Sequence, residues 1–185
     1  MAGVTGVLLV GGASRRFGSP KALAKLDELT LAEHAWAALA WCDERLAVGK
    51  RADRLLLPFE VHDDDSNVRA PLAGLVAGLR LAAHELVVVL PVDCPLVPPA
   101  LLRQLAAACK DAAVPQTGPL PGAYRRHCLP LLERRLAAGE LALRDALELL
   151  AVRVVSLDPE LLANVNSRDD LSRLEALCGG GAAAG

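Results

Sequence analysis

The chain has 185 residues, 53% of them hydrophobic, enough to enclose one sizeable core but hardly two, so a single domain over residues 1–178 is expected. Lys and Arg number 20 against 22 Asp and Glu, which leaves no global field for nucleic acid or an anionic membrane and makes any basic site local. The five cysteines (Cys42, Cys94, Cys109, Cys128 and Cys178) are odd in number, scattered and without a CxxC pair, which argues against a disulfide framework or a structural zinc site and fits a reducing, cytoplasmic setting.

Met1 to Val10 carries no basic leader or cleavage pattern, and its apolar run meets Gly11-Gly12 well before it could span a bilayer. Gly6 to Val10 (GVLLV) reads as a parallel strand buried on both faces. Leu9 to Lys21 (LVGGASRRFGSPK) follows directly and is the densest chemical signal in the chain. Its glycines let backbone N–H groups close on phosphate oxygens, and Arg16 and Lys21 supply positive charge, so the loop is a triphosphate cradle by chemistry alone. A turn-rich surface loop has a similar composition, but the placement between strand and helix favours the cradle. Gly11-Gly12 lacks the third spaced glycine of a dinucleotide fingerprint, and Lys21 lacks the Gly-Lys-Ser/Thr setting of a P-loop.

Thr30-Leu31-Ala32-Glu33 spells a capping box, after which Leu31, Ala35, Ala38, Leu39 and Cys42 recur at helical spacing and predict a crossover helix. Arg45 to Val48 predicts a second strand, and Leu55 to His62 a third, interrupted by Pro58. Asp63-Asp64-Asp65-Ser66-Asn67 is a polar loop; a run of three carboxylates is usually just a solvated turn. Leu72, Leu75, Val76 and Leu79 then share one helix face.

Leu86 to Leu90 (LVVVL) is the clearest central strand, and it runs into Pro91-Val92-Asp93-Cys94-Pro95. A lone aspartate after a strand is more often a turn or cap residue. Opposite a phosphate loop on a neighbouring strand, Asp93 is instead the candidate Mg²⁺ ligand. Cys94 invites a nucleophile reading, but His34, His62, His84 and His127 are dispersed, so it is read as a small buried side chain, and Cys128 beside His127 likewise. Pro98-Pro99 opens another helix whose apolar face is Leu101, Leu102 and Leu105. Ala112 to Val114 and Val152 to Leu157 are further strand candidates, with helical patterns at His127 to Ala137 and Arg144 to Leu150 between them. Ser167 reads as the N-cap of a last helix, with Asp169 and Asp170 in its first turn, and Gly179 to Gly185 (GGGAAAG) as a flexible tail. Strands alternating with helices specify an α/β fold: a three-layer α/β/α sandwich on a mostly parallel, Rossmann-like sheet, with ligands at the carboxyl ends of the strands.

The pattern LxGGxSxRxGxPK resembles the signature loop of the nucleotidyltransferases that make activated sugars and molybdenum-cofactor dinucleotides. Asp63 to Gly74 is similar to the segment of the molybdenum cofactor guanylyltransferases in which an aspartate precedes GPLAG, with Ala70 in place of the usual glycine. Asn164 to Leu171 (NVNSRDDL) resembles that family's NVNTPEDL, and Pro119 to Arg126 its substrate-side loop. These segments fall in the family's order across nearly the whole chain. The resemblance implies the nucleotidyltransferase (GT-A-like) fold and transfer of GMP from Mg-GTP to the phosphate of molybdopterin, with release of pyrophosphate. It implies that Leu9, Gly11, Gly12, Arg16 and Lys21 hold the nucleotide and that Asp93 holds Mg²⁺. Asp63 or Asp64 would also contact the nucleotide; spacing leaves both open, with a slight preference for Asp63. Gly49 stands where some relatives carry an asparagine near the nucleotide, and Pro20 replaces their acidic residue. Asn164 and Asn166 alternate along an extended segment and would meet the pterin or its phosphate, although by chemistry alone they serve equally as turn residues.

Two alternatives stay open. One is the same chemistry with another base or acceptor, a cytidylyltransferase or a sugar-nucleotide synthase, against which Gly11-Gly12 after Leu9-Val10 favours the guanylyl branch. The other is a non-catalytic nucleotide-binding module that delivers cofactor to a partner, for which Lys21 and Asp93 together have no evident use. The implied partners are GTP and molybdopterin as substrates, with molybdoenzymes or cofactor-delivery proteins as recipients, and neither nucleic acid nor membrane.

Overall fold

Val4–Leu9 forms β1, the hub of the sheet, in a computed structural model that describes residues 3–11 and 20–179. Its side chains alternate between two apolar clusters, Leu8 joining one and Val7 and Leu9 the other. A strand with no solvent face is stable only between two covering layers, which is why this run is continuously apolar rather than alternating.

Lys25–Leu26 (β2) and Leu29–Thr30 (β3) then pair as a small antiparallel hairpin, and Thr30 caps α1, Leu31–Ala38. The capping box is present as predicted: the Thr30 hydroxyl accepts from the Glu33 amide at 3.2 Å, and the Thr30 amide donates to Glu33 Oε2 at 2.8 Å. The helix stops at Ala38 rather than running on to Cys42, although Leu39 remains fully buried. Glu44–Gly49 is β4, and the predicted third strand shrinks to Val61–Asp63, β5, beyond the proline that cannot donate to a ladder. The remaining elements are α2 (Pro71–Leu81), β6 (Leu86–Pro91), α3 (Pro99–Ala108), β7 (Ala112–Pro115), β8 (Gly122–Arg125), α4 (Leu129–Ala137), α5 (Leu143–Leu147), β9 (Val152–Val155) and α6 (Arg168–Gly179).

One seven-stranded sheet runs in the order β5-β4-β1-β6-β8-β7-β9. The β5-β4-β1-β6 pairings and β7-β9 are parallel, and β8 lies antiparallel between β6 and β7. Helices α1, α3 and α6 place Ala35, Leu102 and Leu174 in the cluster on one face, and α2, α4 and α5 place Leu75, Leu132 and Ala146 in the cluster on the other. This is the expected three-layer α/β/α sandwich. The segment Pro119 to Arg126, expected as a substrate-side loop, is corrected in its second half: Gly122–Arg125 is an interior strand, and Tyr124 is fully buried with its hydroxyl donating to the Pro119 carbonyl at 2.6 Å. Gly122 is required there, since a Cβ would sit 2.7 Å from the Pro119 oxygen. At the amino end of the sheet, His127 bridges Asp111 Oδ1 at 3.0 Å and Glu85 Oε1 at 3.1 Å, tying the entries of β6 and β7 together. No helix among the described residues is long and apolar enough to cross a membrane.

Candidate active site

The chain builds outward from β1 through β4 to β5, then returns to lay β6 on the other flank of β1. At such a reversal the loops leaving adjacent strands part in opposite directions and open a crevice at the carboxyl edge. A cleft of about 360 Å³ lies there, with Leu9, Val10 and Gly11 of β1 and its exit at the centre.

On the β6 side the wall is Lys21, Asp93 and Asn166. The amide of Val92 donates to the Leu9 carbonyl at 3.0 Å, continuing the β1–β6 ladder one step and fixing the backbone on which Asp93 stands. Lys21, at the start of a short 3₁₀ turn, brings Nζ to 3.4 Å from Asp93 Oδ2 and donates to Asn166 Oδ1 at 3.1 Å. Three residues remote in sequence are thereby gathered at one point. The Asn segment is held by the Val165 amide, which donates to the Asp93 carbonyl at 2.8 Å, while the Val165 side chain is fully buried. Burying Val165 turns its two neighbours outward together. They differ nonetheless: Asn166 lines the cleft, whereas Asn164 lies outside the lining, its Oδ1 accepting from the Cys94 thiol at 2.9 Å. Burial, reinforced by the adjacent Asp93 charge, pushes that thiol far up, so Cys94 stays a neutral donor and not a nucleophile.

On the β4–β5 side the wall is Gly49, Lys50 and Asp64, with Arg69 at the rim in a paired bond to Asp53 at 2.6 and 3.0 Å. A Cβ on Gly49 would lie 2.8 Å from Val10 Cγ2, so no side chain fits and the backbone itself forms the floor beside Gly11. The preference for Asp63 gives way here. Asp63 is spent on its own loop, accepting from the amides of Asp65 and Arg51 at 3.0 Å each, bonds that hold its carboxyl below the ordinary range. Asp64, one residue on and therefore on the opposite side of the strand exit, faces the cleft and pairs with Lys50 Nζ at 2.6 Å. Lys50 was missed by sequence reasoning; its one signal is a lysine standing immediately beyond a strand at the carboxyl edge. Leu9, Gly11, Lys21, Gly49, Asp64, Asp93 and Asn166 are thus brought together, and Asp63 and Asn164 are not. Gly12 and Arg16 lie outside the described residues.

Residues 6–156 match the family model of the MobA-like NTP transferase domain. The molybdenum cofactor guanylyltransferase of Desulfosudis oleivorans is 31% identical to this chain, over 95% of the chain and 96% of its own length. The probable molybdenum cofactor guanylyltransferase of Deinococcus radiodurans is 37% identical over 92% and 93%. The crystal structure of molybdopterin-guanine dinucleotide biosynthesis protein A from Archaeoglobus fulgidus is similar with a TM-score of 0.82 at 28% identity, covering 95% of this chain and 99% of that one.

Proposed function

Since the chain belongs to the MobA-like NTP transferase domain family, we propose that it transfers GMP from Mg-GTP to the phosphate of molybdopterin, forming molybdopterin guanine dinucleotide and releasing pyrophosphate. The convergence of Lys21, Asp93 and Asn166 in a cleft at the reversal of strand order carries the proposal, because it puts a cation, a carboxylate and an amide where a phosphate anhydride and its acceptor would meet.

The bond formed joins an acceptor phosphate oxygen to the α-phosphorus, and the bond broken is that to the β-phosphate, which leaves as pyrophosphate. Such a transfer needs positioning and charge neutralisation rather than a covalent enzyme intermediate. Lys21 would neutralise charge developing on the α- and β-phosphates, and Asn166 would orient the acceptor phosphate by donating its amide N–H. Asp93 suits Mg²⁺: it is a hard oxygen donor, its side chain is 26% exposed, and its Oδ2 already faces a cation. When bound there the metal would supply charge neutralisation at the phosphates. The described cysteines are free, which supports a reducing, cytoplasmic setting, and molybdoenzymes or cofactor-delivery proteins are the expected recipients of the product.

The test is incubation with molybdopterin, Mg²⁺ and each nucleoside triphosphate separately, followed by identification of the product. Molybdopterin guanine dinucleotide from GTP is expected. A cytosine dinucleotide would move the protein to the cytidylyl branch, and no dinucleotide from any triphosphate would sink the proposal.

A further inference from the structure

Strands β4 and β5 end in register, Gly49 opposite Asp63, so the next residues, Lys50 and Asp64, leave the sheet side by side at its carboxyl edge. Lys50 Nζ donates to Asp64 Oδ1 at 2.6 Å and to the Ser66 carbonyl, and the two side chains are only 11% and 7% exposed, the most enclosed ion pair among the described residues. Taking two charges out of water offsets most of their attraction, so such a pair is poor glue for a fold. This one lines the cleft, and β1 separates it from the Lys21 and Asp93 wall.

The hydrogen-bonding capacity left over has a definite pattern. An ammonium has three N–H donors and two are used; Asp64 Oδ1 accepts from Lys50 and from the Ser66 amide at 3.0 Å, while Oδ2 has no partner among the described residues. One donor and one acceptor oxygen therefore remain together. Beside them the floor is backbone, because a Cβ on Gly49 would lie 2.8 Å from Val10 Cγ2 and force it to shift. A backbone floor next to a paired donor and acceptor suits the flat edge of a base.

We propose that Lys50, held in place by Asp64, is the base-selecting residue: it donates to O6 of guanine, while Asp64 Oδ2 accepts from N1–H and the 2-amino group. The inference rests on GTP being the nucleotide substrate, as proposed above. Guanine alone among the common bases offers an acceptor flanked by two adjacent donors. Adenine turns an amino group toward the ammonium, and cytosine turns a ring acceptor toward the carboxylate. Each mismatch leaves an enclosed charged group without its partner, which is how a polar site rejects the wrong ligand.

The test is titration calorimetry of Mg-GTP, Mg-CTP and the triphosphate of 2-aminopurine riboside, which lacks both O6 and the N1 proton and keeps the 2-amino group, against the wild-type chain, Lys50→Met and Lys50→Gln. Wild type should bind the analogue at least about a hundredfold more weakly than GTP, because the analogue loses the charge-assisted hydrogen bonds at both O6 and N1–H. Lys50→Met should bind GTP at least about tenfold more weakly while binding the analogue as wild type does, so the preference for GTP narrows without vanishing, because the O6 contact is gone and the N1–H facing Asp64 still distinguishes GTP. Lys50→Gln, which keeps N–H donors without the charge, should recover part of the preference for GTP. Equal binding of GTP and the analogue by wild type overturns the proposal, and that arm does not depend on any variant folding. An unchanged GTP preference in Lys50→Met, or an equal weakening of both nucleotides, overturns it too. The two proposals fail separately: the binding pattern without dinucleotide formation removes the transfer reaction alone, and dinucleotide formation from GTP with an indifferent Lys50→Met removes this one alone.

Discussion

Lys21 and Asp93 neutralise each other on one wall of the cleft at 3.4 Å, so each has a partner before any ligand enters and neither is needed by the core. Lys21→Ala should accordingly keep the circular dichroism of the wild type while losing most pyrophosphate release; a folded variant with near-normal turnover would remove Lys21 from the mechanism. Asp93→Asn preserves size and hydrogen bonding but not charge, so turnover should fall by orders of magnitude, equivalent to several kcal/mol in metal-assisted transfers. Raising Mg²⁺ should restore part of that loss, and superimposable rate curves against Mg²⁺ for the two proteins would contradict a metal-binding role. Because Asn166 lines the cleft and Asn164 bonds Cys94 behind it, Asn166→Ala should raise the KM for molybdopterin more than Asn164→Ala does. Equal effects would mean that the segment matters only as a unit. Lys21 and Asp93 were legible in the sequence because each follows or precedes a turn signal at a strand exit. The choice between Asp63 and Asp64 was not, since side-chain direction alternates along the chain and one step reverses it.

At the scale of elements, the same cleft depends on how α6 begins. The Asp170 amide donates to Ser167 Oγ at 3.1 Å, and Asp170 Oδ2 accepts from the amides of Ser167 and Asn166, each at 2.9 Å. The helix cap and the cleft residue therefore share one carboxylate. Ser167→Ala should lower stability by about 1 kcal/mol in denaturant titrations, the usual worth of a cap side chain, and an unchanged midpoint would show that the cap carries no weight. The Asn166 amide first, and Ser167 after it, hold the Asp170 carboxyl below its ordinary range. A lowered folded-state pKa adds stability above the unfolded-state value, and that stability is lost as pH falls through the folded value. The wild type should thus lose stability on acidification below about pH 4 more steeply than Asp170→Asn. Parallel acid limbs in the two proteins would contradict this. Ser167 was legible as a cap from its chemistry, as was Thr30. Strand β8 was not: GAYR is four residues long, follows a proline-rich turn, and owes its place in the sheet to β6 and β7 rather than to any pattern of its own.

Across the whole molecule, the apolar runs of β1 and β6 announce a sheet buried on both faces, and the alternation of strands with helices announces its layers. What sequence could not supply is the order of strands, which alone decides that residues 21, 93 and 166 meet on one side of β1 and residues 49, 50 and 64 on the other. A nucleotide bound as proposed would lie across β1 and touch both groups, joining the β4–β5 edge to the segment that leads into α6. Binding to the folded chain alone stabilises it by about 2.7 kcal/mol at a hundred times the dissociation constant. For a domain of this size that is a rise in Tm of roughly 5–10 °C. Mg-GTP should produce such a shift, CTP a smaller one, and Lys21→Ala should reduce the shift with GTP because the phosphate end is lost. Hydrogen exchange adds the spatial test: amides of residues 49–51 and 164–167 should slow together on addition of Mg-GTP, although they lie on opposite sides of β1. Protection confined to one group would mean that the ligand occupies half of the cleft, and the bridging geometry would be wrong.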